Sequence, residues 1–242
     1  MPLSAEGQSL LLEAAKELGF HLGEEIERFS RFYDLLLEGN RVTNLTSITN
    51  EREVVLKHFA DSLSCDLRGH LSGSLRVMDI GTGAGFPGVP LCIARPDLDM
   101  VLVDATHKKV DFLDKVRLSL PLGNARTLWG RAEEIARQLQ HRESYDRVVT
   151  RAVSPLNTLY ELCLPFLKVG GYLVAQKGPE ARDEVEKAGL AAEKLGGRLV
   201  EVVPLKLPVL GDPRCLVIVE KILSTPDKYP RRSGVPQKNP LF

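Results

Sequence analysis

The stretch Asp79-Ile80-Gly81-Thr82-Gly83-Ala84-Gly85-Phe86-Pro87-Gly88 constrains this chain more than any other. It closes a short apolar run over residues 75–80, which reads as a strand. A strand running into glycines makes a tight turn and lets backbone approach a ligand at the strand's carboxyl end. Pro87 suits the first turn of a following helix, whose N-terminus would face that ligand. Taken alone, such a loop could equally be a plain strand-to-helix turn. Strand-like runs then recur at 100–104, 126–129, 145–150 and 171–176, separated by helical patterns such as 107–118 and 180–195. Strands alternating with helices predict a parallel sheet covered on both faces. The alternation breaks at the end. Runs 198–203 and 215–221 are joined only by a loop holding Pro204, Pro208, Gly211 and Pro213, which predicts an antiparallel hairpin at one side of the sheet.

Upstream of the first strand the pattern is helical. Ile26, Phe29, Tyr33, Leu36 and Leu37 share one helical face, and Val55, Phe59 and Leu63 repeat every four residues. Asn44-Leu45-Thr46-Ser47 lies between them as a loop or helix entry. With 242 residues, 43% hydrophobic and 26% charged, the chain can build a core without staples. Cys65, Cys92, Cys163 and Cys215 are scattered without a CxxC pair, against a zinc site or disulfide framework. The start of the chain lacks a signal-like apolar core, and the longest uncharged stretch, 80–94, is broken by Gly and Pro. A cytoplasmic protein, monomeric and without a membrane segment or bound metal, is expected.

The 32 basic and 32 acidic side chains balance, yet their distribution does not. Residues 1–50 are acidic, whereas 221–242 hold Lys221, Lys228, Arg231, Arg232 and Lys238 against Asp227 alone. On charge alone such a tail reads as a solvated terminus.

Two cofactor classes compete for the glycine loop. Residues 83–88 match the dinucleotide fingerprint GxGxxG. The longer string Asp79-x-Gly81-x-Gly83-x-Gly85 matches the GxGxG loop of S-adenosylmethionine enzymes. Asp104, ending the second strand, suits the ribose hydroxyls of either. The rest of the chain decides: it leaves no room for a dehydrogenase's catalytic domain, and the terminal hairpin is a hallmark of the class I methyltransferase sheet. The expected fold is therefore α/β, a Rossmann-like, mainly parallel seven-stranded sheet with a terminal antiparallel hairpin. Gly130-Arg131-Ala132-Glu133 would lie at the adenine and Thr150-Arg151-Ala152 at the reactive end, although Glu133 also reads as an ordinary first-turn acid.

The acceptor is narrowed by absences. After the fourth strand there is no (N/D)PP(Y/F) sequence for exocyclic amines and no Asp for ribose oxygens, and Cys163 sits in an apolar run as a core residue. A nucleophile needing no base fits best, and guanine N7 is one, requiring chiefly alignment with the methyl donor. Asn44, His58, Arg151 and Lys177 are the polar candidates at the base. His58 serves equally well as a capped or surface histidine.

Taken together, Asn44-Leu45-Thr46-Ser47, His58 with Asp61-Ser62, the glycine string, Asp104-Ala105-Thr106, Arg131-Ala132-Glu133, Thr150-Arg151-Ala152, Gln176-Lys177-Gly178 and the tail Tyr229-Pro230-Arg231-Arg232 resemble the glucose-inhibited division protein B family. These are RsmG-type guanine-N7 methyltransferases of small-subunit rRNA. The resemblance covers about residues 40–242, and the chain as a whole is expected to divide into a helical N-terminal region (1–70), a methyltransferase domain (71–222) and a basic, proline-rich tail (223–242). The resemblance implies S-adenosyl-L-methionine as cofactor and N7 of a guanine in the 530 loop of 16S rRNA, bare or in the small ribosomal subunit, as acceptor. Gly81, Gly83, Phe86, Asp104, Ala105, Thr106, Ala132, Glu133 and Arg151 would contact the cofactor. Asn44, His58, Lys177, Arg231, Arg232 and Lys238 would face RNA. An extended tail is expected, whose cations could be removed without loss of cofactor affinity. Cys215 stands where relatives often carry histidine. A methyltransferase acting on another RNA, a protein or a small molecule, or a non-catalytic nucleotide- or RNA-binding module, remains open on sequence.

Overall fold

The computed structural model describes residues 1–151 and 154–242; Ala152, named above at the reactive end, lies outside the described residues. Two helices open the chain, α1 (Ala5–Glu17) and α2 (Glu25–Asn40). Ser4 caps α1 by accepting the Gly7 N–H. A third rod runs as α3 (Glu51–Val54), a π-helical stretch Val55–Ala60, and α4 (Asp61–Leu63). In the π stretch the Asp61 N–H reaches back to the Leu56 carbonyl, five residues away.

The sheet comprises β1 (Arg76–Ile80), β2 (Asp99–Asp104), β3 (Ala125–Trp129), β4 (Tyr145–Arg151), β5 (Leu167–Lys177), β6 (Gly197–Lys206) and β7 (Pro213–Lys221). Between them lie α5 (Gly88–Ala94), α6 (His107–Ser119), α7 (Ala132–Ile135), α8 (Leu156–Cys163) and α9 (Ala181–Lys194); α10 (Val235–Lys238) sits in the tail. The strand order is β3-β2-β1-β4-β5-β7-β6, with β7 antiparallel to both its neighbours, as the class I pattern requires. Strands β1 and β2 are buried almost end to end, because helices cover both faces. The hairpin is longer than expected. Pro204 and Pro213 lie within β6 and β7, so only residues 207–212 connect them. Pro204 is tolerated because β6 is an edge strand.

Two cores flank the sheet. Phe29, Phe32 and Phe59 from the leading helices pack with Leu91, Leu102 and Val174, so the N-terminal helices share a core with the sheet. Met78, Val103, Tyr160, Leu173 and Val217 build the opposite side. The parallel register aligns the carboxyl ends of β1, β2, β4 and β5 along one edge: Ile80 faces Val103, and Arg151 faces Gln176. The chain reverses direction across the sheet between β1 and β4, which opens a crevice at that edge.

The tail departs from the expectation of a loose extended strand. It forms the short α10 and is strapped down: Arg142 donates to the Tyr229 and Thr225 carbonyls (2.9 and 2.7 Å), and Tyr229 and Leu241 are buried. Two of the counted tail cations are consumed internally. Lys221 is fully buried, donates to the Leu164 carbonyl (2.7 Å) and pairs with Glu143 (3.2 Å); burial pulls its pKa down to about 8. Arg231 pairs with the buried Glu161 (2.6 Å).

Candidate active site

Three cavities sharing walls open along the carboxyl edge of the parallel strands. The first, about 110 Å³, lies among Gly81, Asp104, Ala105, Ala132, Glu133 and Gln237. The second, about 270 Å³, lies over the glycine loop among Thr46, His58, Gly81, Gly83, Phe86 and Arg151. The third, about 390 Å³, lies among Lys57, Asp61, Gln176, Lys177 and Arg214, and shares His58 and Arg151 with the second.

The glycines divide by role. At Gly83 (φ +61°) a Cβ would meet no atom closer than 4.0 Å, so its open side is left for a ligand. At Gly88 a Cβ would fall 2.2 Å from Leu102, so that glycine serves close packing of α5 on β2. Pro87 sits at the N-cap of α5 rather than inside its first turn. Asp79, fully buried, accepts the Gly88 N–H (2.8 Å); burial raises its pKa to about 7. Asp104 is 7% exposed and fixes the loop from the neighbouring strand, accepting the Gly83 N–H (3.0 Å) and the Thr106 N–H (2.8 Å).

The second and third cavities meet at a stack. The His58 ring lies on Phe86 with centroids 4.4 Å apart, and the Arg151 guanidinium carbon is 5.0 Å from the same ring. Arg151 donates to the Lys57 carbonyl and to Asp61 (2.9 Å each) and lies 3.1 Å from His58 Nδ1. His58 Nδ1 also lies 3.1 Å from the Lys57 carbonyl, and Nε2 lies 2.8 Å from Thr46 Oγ1, so both ring nitrogens are engaged. His58 is held neutral: burial first, then the Arg151 charge, lower its pKa to about 4.

This has a measurable consequence. The unfolded chain protonates His58 near its ordinary 6.5, the native one only near 4, so stability is lost as pH falls through that window. For this one group the loss between about pH 7.5 and pH 5 is about 2 kcal/mol. Urea unfolding of wild type and His58→Gln at the two pH values should show the gap between them narrowing by that amount on acidification. Parallel pH dependences would show that His58 is not buried neutral.

Of the sequence-predicted residues, Gly81, Asp104, Ala105, Ala132 and Glu133 share the first cavity, and Gly81, Gly83, Phe86, Arg151 and His58 the second. Lys177 lines the third, donating to the Ser154 carbonyl (2.9 Å) and pairing with Glu184 (2.8 Å). Thr106 takes part through its backbone N–H. Asn44 is exposed and lines none of the three. Arg232 and Lys238 are exposed on the tail, while the Arg231 guanidinium is engaged by Glu161. Lys57, Asp61, Gln176 and Arg214, none of them expected as a site residue, also line the third cavity, although Gln176 stood in the string beside Lys177. Asp61 had a trace in the sequence beside His58, whereas Arg214 had none. Cys215 is buried next to Arg214, and burial raises its thiol pKa.

The family model for rRNA small subunit methyltransferase G (GidB) matches residues 25–209. The chain belongs to that family. It is 51% identical to the ribosomal RNA small subunit methyltransferase G of Deinococcus deserti over 99% of this chain and 98% of the relative. The Deinococcus radiodurans protein of the same name is 48% identical over 99% and 95%. Among solved structures, a SAM-dependent methyltransferase from Aquifex aeolicus superposes with a TM-score of 0.54 at 19% identity, covering 77% of this chain and 98% of its own. A 16S rRNA (adenine(1408)-N(1))-methyltransferase from Catenulisporales acidiphilia gives 0.52 at 15%, covering 66% and 90%. At such identities these two show the fold alone.

The cofactor of this methyltransferase is S-adenosylmethionine, and the residues present fit it. The Gly83 face is open, and an acid ends β2 beside it. No helix among the described residues is long and apolar enough to cross a membrane, and none of their acidic, His and Cys side chains cluster as a metal site.

Proposed function

We propose that this methyltransferase modifies N7 of one guanine in the 530 loop of 16S rRNA, acting as a cytoplasmic monomer, with the base received in the third cavity. One observation carries the reading: that cavity is lined by Lys57, Arg151, Lys177 and Arg214, four cations against the two carboxylates Asp61 and Glu184, and shares the His58–Arg151 wall with the glycine-loop crevice. Cations there suit phosphates and the O6 edge of guanine. When bound, S-adenosylmethionine supplies an electrophilic methyl on its sulfonium.

The protein's part is alignment. Proton acceptors around the cavity are already committed: Asp61 in ion pairs with Arg151 and Arg214, and Glu184 to Lys177, while both His58 ring nitrogens have partners within the protein. A nucleophile with a free lone pair and no proton to lose matches that arrangement. The Phe86–His58 stack gives the crevice a rigid aromatic wall, and Arg151 braces it.

Mass mapping of modified guanines in 16S rRNA, treated with and without the protein, tests the assignment. An added methyl on a base elsewhere, or on protein alone, would refute it. Single-turnover rates should stay nearly flat from about pH 6 to pH 9, because no base must be freed. A rate climbing tenfold per pH unit, with binding constant, would mean that a proton leaves the acceptor and that N7 is the wrong atom.

A further inference from the structure

The C-terminal segment returns past the carboxyl edge of the sheet and passes beside the first cavity. Beyond the Arg142 strap, these contacts seat it beside the cavity. Arg231 engages Glu161 of α8; the Gly234 N–H donates to Glu133 Oε1 (2.8 Å); the Ser233 hydroxyl donates to Glu134 (2.8 Å); and the Thr158 hydroxyl donates to the Pro236 carbonyl (3.2 Å). Glu133 and Glu134 belong to α7, which directly follows the β3 turn at Gly130-Arg131. Pinned in this way, the segment brings Gln237 into the lining of the cavity that holds Asp104 and Glu133.

We infer that Gln237 is a cofactor-binding residue, the tail's contribution to the adenine end of the S-adenosylmethionine site. The inference rests on that cofactor occupying the glycine-loop crevice. Asp104, at the end of β2, stands where an acid meets ribose hydroxyls, so the base continues away from it toward Ala132, Glu133 and Gln237. Hydrogen-bonding capacity supports the assignment. A carboxamide carries a donor and an acceptor side by side, the complement of an adenine edge that pairs an amino group with a ring nitrogen. Glu133 has one carboxylate oxygen committed to Gly234, so it positions the tail as well as lining the cavity. Gln237 itself is exposed and makes none of the seating contacts, so its removal leaves the strap intact.

The test uses the full chain and calorimetric binding of S-adenosylhomocysteine, which cannot react, and of its analogue lacking the exocyclic amine of the purine. Gln237→Ala should melt with the wild type and bind S-adenosylhomocysteine about tenfold more weakly, as expected for one or two lost hydrogen bonds. Its preference for the natural purine over the analogue should shrink severalfold. Unchanged affinity in Gln237→Ala would overturn the inference. So would equal weakening toward both ligands, since Gln237 would then act only through the seating of the tail. A wild type that binds neither ligand would instead overturn the cofactor assignment.

Discussion

Arg231→Ala should lower folding stability by about 3–5 kcal/mol, the range found when one partner of a buried ion pair is removed. Glu161 is fully buried in α8, and Arg231 meets both its oxygens: Nε at 2.9 and 3.1 Å, a terminal nitrogen at 2.6 Å, and its own backbone N–H at 2.7 Å. Truncation strips all but the backbone donor from a carboxylate that water does not reach. Arg231→Lys should recover only part, because an ammonium cannot reproduce the planar fork. The same variant should bind S-adenosylmethionine less well, since the strap it releases also carries Gly234 and Gln237. That outcome would run against the expectation that the tail cations could be removed at no cost to the cofactor. Arg232→Ala, on the exposed side, should stay within about 0.5 kcal/mol of wild type. Urea unfolding of the three variants decides the matter. Equal stability of Arg231→Ala and Arg232→Ala would mean that the strap contributes nothing.

For Asp104→Ala the expected loss is about 1–3 kcal/mol of S-adenosylmethionine affinity, up to about a hundredfold in Kd. Two causes add. The ribose loses a charged acceptor, and the Gly83 and Thr106 N–H groups lose the carboxylate that holds the loop in shape. Asp104→Asn should fall between, retaining one acceptor oxygen while turning an amino group toward an N–H it cannot pair with. Calorimetry on folded variants reads this directly. Alanine binding as tightly as aspartate would remove Asp104 from the site.

Most of the sheet could be read in advance because each strand carries its own local signature. The apolar run 75–80 ends in glycine, and the last two runs lack a helix between them, which sets the antiparallel end. The third cavity was illegible for a topological reason. Asp61, Gln176 and Arg214 come from three distant segments, and they meet only because β7 inserts beside β5, setting Lys177 opposite Cys215. The tail misled because counting charges cannot show which are spent. A signal did exist: Glu161 interrupts the otherwise uncharged run Leu156–Cys163, and an acid there needs a buried partner. The pairing of Lys221 with Glu143 follows the same rule.

The π-helical stretch bears on how this protein tolerates change. The Val55–Ala60 segment holds one more residue per turn than an α-helix, and the Lys57 carbonyl within it accepts from Arg151 instead of serving the helix alone. Deleting a single residue there would let the rod relax to ordinary α-helix. The turns before and after the cut would keep nearly their present phase, because the extra residue is the one that the π stretch absorbs. Within the stretch, the Lys57 carbonyl would return to the helix ladder and be lost to Arg151. The spelling of this segment could drift, residue for similar residue, far more freely than its length: the site depends on a count, and a count cannot change by halves.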